Sequence, residues 1–282
     1  MSRLLLCMSL LLLALPAPGQ AANPFPKAAT AYLVKSGEAT VWSQGANRRL
    51  PPASLTKMMT ALVVMESADF ADVVTVSPAA AAATGSRLRL HAGDRLRVGD
   101  LLAAILLNSA NDAAHALADH VAGSEEKFAV LMNRKAAELG MQNTRFANCS
   151  GFDHPQHYST AVDLALLAEA ALAQPPFRGM VGLPDMEIST IDGARVFQLK
   201  TTNRLLGSYD GLIGGKTGFT AKAGPCLIVV AERADERVLV VLLNSPSRWN
   251  SAPTILDRAF SLMAKERSKT RVASLAGKGE VH

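Results

Sequence analysis

The chain has 282 residues, 49% of them hydrophobic and 19% charged, with a formal net charge of +5. That balance excludes a disordered chain, and at this length about three quarters of the unfolded surface can be buried. The mild positive excess fits an anionic polymer, but no Lys/Arg cluster interleaved with aromatics is present, so nucleic acid is not expected as a partner.

The first residues set the compartment. Met1-Ser2-Arg3 supplies a positive charge, Leu4 to Leu15 is almost purely apolar, and Pro16-Ala17-Pro18-Gly19-Gln20-Ala21 breaks the run and ends on small residues. This is the order of a secretory signal peptide, with cleavage expected after Ala21. The apolar run falls short of the roughly 20 residues a bilayer span needs, so no stable membrane anchor is expected after cleavage. Cleavage takes Arg3 and no acid, leaving +4, and takes Cys7 as well. Cys149 and Cys226 remain; an oxidising compartment permits a bridge, but spacing cannot pair them, and two separate buried thiols stay equally open.

Ala29 to Val34 and Ala39 to Trp42 are short apolar runs around Lys35-Ser36-Gly37, which predicts a hairpin. Pro51-Pro52 stops that sheet, and Ser54 to Met65, free of Gly and Pro, predicts a helix starting near Ser54. Leu101 to Leu107 is nearly all apolar and belongs inside a core. Ala113 to Val121 and Glu125 to Leu139 read as further helices, the second ended by Gly140. Thr160-Ala161-Val162-Asp163 has capping-box character and opens a helix over Leu164 to Ala173. The period then changes. Val196 to Lys200, Gly214 to Phe219, Leu227 to Ala231 and Val238 to Leu243 are strand-like, the last two joined by Glu232 to Arg237 as a hairpin. Pro253 to Lys265 predicts a closing helix, and Ser268 to His282, polar and without hydrophobic period, reads as a loose tail. Strands at both ends with helices between them imply one sheet assembled from both ends of the chain, plus a helical lobe. The organisation expected is a signal peptide over 1–21, one folded domain over 22–265 and a flexible basic tail over 266–282.

Three motifs carry chemistry. In Ser54-Leu55-Thr56-Lys57 a serine and a lysine lie one helical turn apart on one face, where a desolvated Lys57 amine could take the Ser54 proton. Taken alone, this is a helix cap followed by a solvated lysine. Ser109-Ala110-Asn111 sits on a tight corner between two helices, able to relay a proton and hold an amide, or simply to cap and turn. Lys216-Thr217-Gly218 on a strand offers charge and a hydroxyl to an anionic group, with Gly218 leaving room for a substrate backbone alongside. A phosphate-loop reading of Gly215-Lys216-Thr217 fails, because the first glycine would fall at Asp210 and strand residues follow.

These motifs, in this order, are the Ser-x-x-Lys, Ser-x-Asn and Lys-Thr-Gly set of penicillin-binding proteins and β-lactamases. With the flanks Pro52-Ala53, Met58-Met59-Thr60, Asp112-Ala113, Tyr158-Ser159-Thr160-Ala161 and Phe219-Thr220, residues 28 to 262 resemble the D-alanyl-D-alanine carboxypeptidase family of low-molecular-mass penicillin-binding proteins. The resemblance implies a mixed α/β (α+β) fold of the β-lactamase/transpeptidase type: an antiparallel sheet flanked by helices, plus a helical lobe, with the site in the cleft between them.

It implies Ser54 as nucleophile and Lys57 as general base, with the backbone N–H groups of Ser54 and Phe219 as the oxyanion hole. Ser109 and Lys216 would pass the proton to the leaving amine, Asn111 would hold the substrate amide, and Thr217 would bind the terminal carboxylate near Arg248. The substrates implied are peptidoglycan stem peptides in the periplasm, with β-lactams as covalent inhibitors and no cofactor or metal. His154-Pro155-Gln156-His157 has a helical ligand spacing, but a loop containing proline cannot present it as a zinc helix does, so both histidines are expected at the surface.

There are departures and rivals. Many relatives continue into a C-terminal β-rich domain and a membrane-binding helix, and the chain stops before either, which favours a freely soluble periplasmic enzyme. That short form also resembles the D,D-endopeptidases of the family, which cut D-alanyl cross-links. Cys149 stands where the family leads one to expect proline. A β-lactamase would need a deacylating glutamate, and the nearest candidate, Glu169, lies on an expected helix with Ala173 four residues on. A non-catalytic wall-binding module is opposed by every catalytic position being filled.

Overall fold

A computed structural model describes residues 23–276, so the signal-peptide reading of residues 1–21 falls outside the described residues. The hairpin β1 (Ala31–Ser36) and β2 (Ala39–Gln44) turns at Gly37, where φ is +51°. A 3-10 turn (Ala53–Thr56) then runs into α1 (Lys57–Ser67). Next, β3 (Val73–Thr75), α2 (Pro78–Ala81) and β4 (Arg95–Arg97) make a small ribbon. The helices α3 (Val98–Leu107), α4 (Asn111–Ala122), α5 (Glu125–Glu138), α6 (Ala161–Leu172) and α7 (Pro175–Val181) follow. A second ribbon pairs β5 (Asp185–Ser189) with β6 (Val196–Lys200). Three long strands, β7 (Leu212–Thr220), β8 (Gly224–Arg233) and β9 (Glu236–Leu243), lead to α8 (Arg248–Ala276).

The main sheet has the order β2-β1-β9-β8-β7 and is antiparallel throughout, so both ends of the chain do build it. Its two faces are both covered. Leu227, Val229, Val240 and Leu242 pack with Ile255, Leu256 and Ala259 of α8. Ile228, Val230 and Val241 face the other way, into a core shared with Met58, Met59 and Leu62 of α1. With both faces buried, the polar half of a strand's alternation disappears, and β8 and β9 read as unbroken apolar runs. The helix α3 is the centre of the second lobe: Leu101, Leu102, Ile105, Leu106 and Leu107 are all at most 3% exposed. Burying five such side chains contributes gross stabilisation on the order of 10 kcal/mol, an upper figure because a real unfolded chain is already partly collapsed.

Several elements differ from the sequence reading. The helix expected at Ser54 opens instead as a 3-10 turn, and α1 proper begins at Lys57. The capping box at Thr160 is half made: its hydroxyl accepts from the Asp163 N–H at 3.1 Å, while the Asp163 carboxylate turns to the Asn143 N–H and the Thr144 hydroxyl. The first ribbon is invisible in the sequence because three-residue strands show no countable alternation; of the second, Val196–Lys200 reads as a strand and its partner Asp185–Ser189 does not. The Pro175-Pro176 pair opens α7, where the missing N–H groups need no partner. Part of the expected loose tail is helical: α8 begins at Arg248, with Pro253 inside it, and continues through Ser268 to Ala276, while 277–282 lie outside the described residues. Lys269, Arg271, Ala273 and Leu275 are good helix formers, and extending an existing helix costs no new nucleus.

Candidate active site

Ser54 is the second residue of the 3-10 turn and stays partly exposed, while Leu55, Met58 and Met59 beside it are buried in the core. Ala53 before it is buried with φ +49°, a left-handed conformation that costs a non-glycine residue about 1–3 kcal/mol and must be held by its surroundings. Two glycines do the holding. A Cβ on Gly151 would lie 2.0 Å from the Ala53 carbonyl oxygen. A Cβ on Gly218 would lie 3.0 Å from the Ala53 Cβ and 3.1 Å from both the Pro52 oxygen and the Ser54 nitrogen. The bare Gly218 thus lets β7 approach the nucleophile turn itself.

One turn along, Lys57 is fully buried. Its Nζ donates to Asn111 Oδ1 at 2.7 Å and to the Ser150 carbonyl at 2.6 Å, and lies 3.3 Å from Ser54 Oγ. Burial pushes its pKa down to about 7, against a partial pull upward from Cys149 and Asp112. Three oxygen acceptors surround the nitrogen, matching the three N–H groups of the ammonium, and loss of one proton from an amine titrating at about 7 leaves a lone pair for the Ser54 hydroxyl.

Asn111, the first residue of α4, also donates from Nδ2 to the Thr84 carbonyl at 2.6 Å. Its oxygen is taken by Lys57 and one of its two Nδ2 N–H groups by Thr84, so it positions Lys57, and the second N–H is the one the expected grip on a substrate amide would use. Ser109 fills the corner between α3 and α4 with φ +58°. Lys216 of β7, 1% exposed, donates to Ser109 Oγ at 3.0 Å and to the Thr217 carbonyl at 3.1 Å. Burial first, then the charges of Lys57 and Arg248, hold its pKa well below the ordinary lysine value. The Thr217 hydroxyl shares a 2.6 Å hydrogen bond with the Thr202 hydroxyl. Arg248 opens α8 and donates from Nη1 to the Gly218 and Cys226 carbonyls at 2.6 and 2.7 Å, which ties the end of β7 to β8. The Phe219 side chain is 65% exposed at the rim.

All nine residues singled out by the motifs therefore fall on one junction between β7, the Ser54 turn, the α3–α4 corner and the start of α8. Sequence reasoning missed the groups that complete it. Ser150 and Thr84 act through backbone carbonyls, which carry no residue-type signal. Asp112, fully buried, accepts from the N–H groups of Leu88, Leu90 and Ala113 and so shapes the loop that supplies Thr84. Asp153 accepts from the Thr220 hydroxyl at 2.6 Å and joins the loop after Gly151 to the end of β7.

The histidines correct the surface expectation in one case of two. His154 is exposed, but His157 is 3% exposed. Its Nδ1 accepts from the Ala147 N–H, which leaves the proton on Nε2 to be donated to Thr56 Oγ1 at 2.8 Å. Burial, then His154, pushes its pKa down to about 4, so it is neutral at ordinary pH and braces the nucleophile turn from behind. Cys149 and Cys226 are separate buried thiols, not a bridge. Glu169 is held by Lys35 of β1 at 2.6 Å and is thereby committed to an ion pair at that end of the sheet.

A Ser-x-x-Lys turn, a Ser-x-Asn corner and a Lys-Thr-Gly edge strand, meeting between an antiparallel sheet and a helical lobe, define the penicillin-binding, β-lactamase/transpeptidase-like class. Solved structures agree: a Streptomyces DD-transpeptidase superposes with a TM-score of 0.78 at 32% identity, covering 83% of this chain and 97% of that one. A D-alanyl-D-alanine carboxypeptidase from Mycobacterium tuberculosis gives 0.77 at 30% identity, covering 83% and 91%. Residues 20–247 match the profile of the D-alanyl-D-alanine carboxypeptidase family, and the chain belongs to that family. It is 36% identical over 244 residues to the D-alanyl-D-alanine carboxypeptidase DacF of Bacillus subtilis, covering 83% of this chain and 62% of that protein. With DacC of Escherichia coli the figures are 38%, 76% and 56%, so the chain spans less than two thirds of either relative's length. No helix among the described residues is long and apolar enough to cross a membrane.

Proposed function

We propose that the protein is a serine D-alanyl-D-alanine carboxypeptidase that removes the terminal D-alanine from peptidoglycan stem peptides in the periplasm. The observation that carries this is the setting of Lys57, a fully buried amine with its pKa lowered to about 7, held by Asn111 and Ser150 and 3.3 Å from Ser54 Oγ.

In this reading the Lys57 amine takes the Ser54 proton as Oγ attacks the carbonyl of the penultimate D-alanine. The oxyanion forms beside the Ser54 and Phe219 N–H groups, which the close approach of Gly218 to the Ser54 nitrogen brings near each other. The leaving amine of the terminal D-alanine takes its proton through Ser109, with Lys216 behind it. The terminal carboxylate is held by the paired Thr217 and Thr202 hydroxyls near the Arg248 charge. Water then cleaves the acyl-enzyme. β-Lactams would acylate the same oxygen, and their adducts would persist, since Glu169, the candidate for a deacylating role, is bound to Lys35.

Mass analysis of products from a pentapeptide monomer and from a cross-linked dimer tests the bond chosen. A carboxypeptidase shortens the monomer by a single D-alanine and leaves the dimer intact. Cleavage of the dimer with the monomer untouched would assign a D,D-endopeptidase instead.

A further inference from the structure

Away from the Ser54 cleft, three side chains that the mechanism does not use converge from three segments: His115 on α4, Glu125 at the start of α5, and Cys149 in the loop before Ser150. One imidazole nitrogen, one carboxylate oxygen and the thiol sulfur all lie within 4.8 Å of one another. Cys149 Sγ donates to Glu125 Oε1 at 3.1 Å, and His115 Nδ1 is 3.6 Å from Glu125 Oε2. The ligand atoms of a tetrahedral zinc ion, bound at about 2.0–2.3 Å, stand about 3.5 Å apart, so this triangle, at most 4.8 Å on a side, closes by about 1.3 Å on loading through the partly exposed His115 and Glu125 side chains.

We propose that His115, Glu125 and Cys149 form a binding site for a single thiophilic divalent cation, Zn²⁺ being the natural occupant. A thiolate and an imidazole favour such an ion over Ca²⁺ or Mg²⁺, which take oxygen ligands. The charges also close: one thiolate and one carboxylate balance the two positive charges, so the loaded cluster is neutral where Cys149 has no exposed surface. The ion enters from the side of His115 and Glu125, whose side chains are 20% and 28% exposed, and water completes the tetrahedron there. On binding, the Cys149 S–H proton passes to solvent and a sulfur–metal bond replaces the hydrogen bond to Glu125. The second Glu125 contact, from the Cys149 N–H at 3.0 Å, remains and orients the carboxylate.

The site lies one residue from the carbonyl that holds Lys57, and the Cys149 carbonyl itself accepts from Thr60 of α1 at 2.6 Å. A bound ion therefore ties α4 and α5 to the loop that supports the catalytic lysine. It is a clamp on that loop and no part of the acyl transfer, so the proposal stands whichever D-alanyl bond is cut.

Titration of the intact exported protein with Co²⁺ tests it, because a cobalt–thiolate bond adds a near-ultraviolet charge-transfer band. Expected are one ion per chain, a charge-transfer band displaced by Zn²⁺, and a raised thermal midpoint with Zn²⁺. Cys149→Ser should abolish the band and weaken binding at least tenfold, and Cys226→Ser should change neither. Should Cys149→Ser fail to fold, His115→Ala and Glu125→Gln, which keep the thiol, decide by a similar loss of affinity in a protein that still takes up labelled penicillin. Absence of the band, its survival in Cys149→Ser, or unchanged affinity in His115→Ala would overturn the proposal.

Discussion

Lys57 has no exposed surface, and its burial is what turns an ordinary surface cation into a base. With the amine titrating at about 7, protonation below that pH removes the lone pair that Ser54 needs. The second-order rate of acylation by a labelled penicillin should therefore fall about tenfold per pH unit below that midpoint and level off above it. Stopped-flow measurement across the range checks this, and a rate flat to pH 5 would contradict it. His157 gives a second pH signature, in stability. Its folded pKa of about 4 lies below the ordinary 6.5, so between those values the unfolded chain binds a proton that the folded one does not. Stability is full above about 6.5 and falls as pH drops toward 4, and His157→Gln should flatten that slope in thermal melts. At this scale the sequence disclosed Ser54, Lys57, Ser109, Asn111 and Lys216 because motif chemistry names side chains. It hid Ser150 and Thr84, whose contribution is a carbonyl, and it misplaced His157, because a loop containing proline reads as surface until both ring nitrogens are seen to be satisfied.

The strand β7 and the Ser54 turn meet through a glycine and a strained alanine, and this contact sets the position of the nucleophile. Gly218→Ala drives a methyl group against Ala53, Pro52 and the Ser54 nitrogen, and acylation should fall by at least about tenfold, since small displacements of reacting groups carry large rate penalties. Gly37→Ala is the control: its Cβ meets nothing within 4 Å, so only the left-handed backbone is strained, at about 1 kcal/mol, and acylation should not change. Asp112→Ala removes the acceptor of three backbone N–H groups that shape the loop around Thr84. With buried donors left unpaired, a loss on the order of 3 kcal/mol should appear in denaturant unfolding, along with slower acylation as Thr84 and Asn111 loosen. Long elements were legible from period and composition, as with α3 and β8. Short ones were not: β3 and β4 are three residues each, and their register comes from pairing with each other, a non-local fact.

Across the whole molecule, one sheet joins residues near both ends of the described chain, and α8 covers the face turned away from the cleft. The both-ends assembly could be read from strands bracketing a helical middle. The length of α8 could not, because the sequence from Ser268 on carries no hydrophobic period. Among the described side chains, the last of α8 in the apolar core against the sheet are Phe260 and Met263. A chain ending after Ser268 should thus keep its thermal midpoint within a few degrees, whereas one ending before Phe260 loses two core side chains, worth about 3–6 kcal/mol of burial. Differential scanning calorimetry of the two truncations separates these outcomes.

The account as a whole rests on Ser54 being the atom that takes the acyl group, with Lys57 activating it. Proteolysis and mass spectrometry of the protein trapped with a β-lactam tests that most directly. The adduct should lie on the peptide carrying Ser54, vanish in Ser54→Ala, and form at least about a hundredfold more slowly in Lys57→Ala. An adduct on any other residue, or one that survives Ser54→Ala, would contradict it.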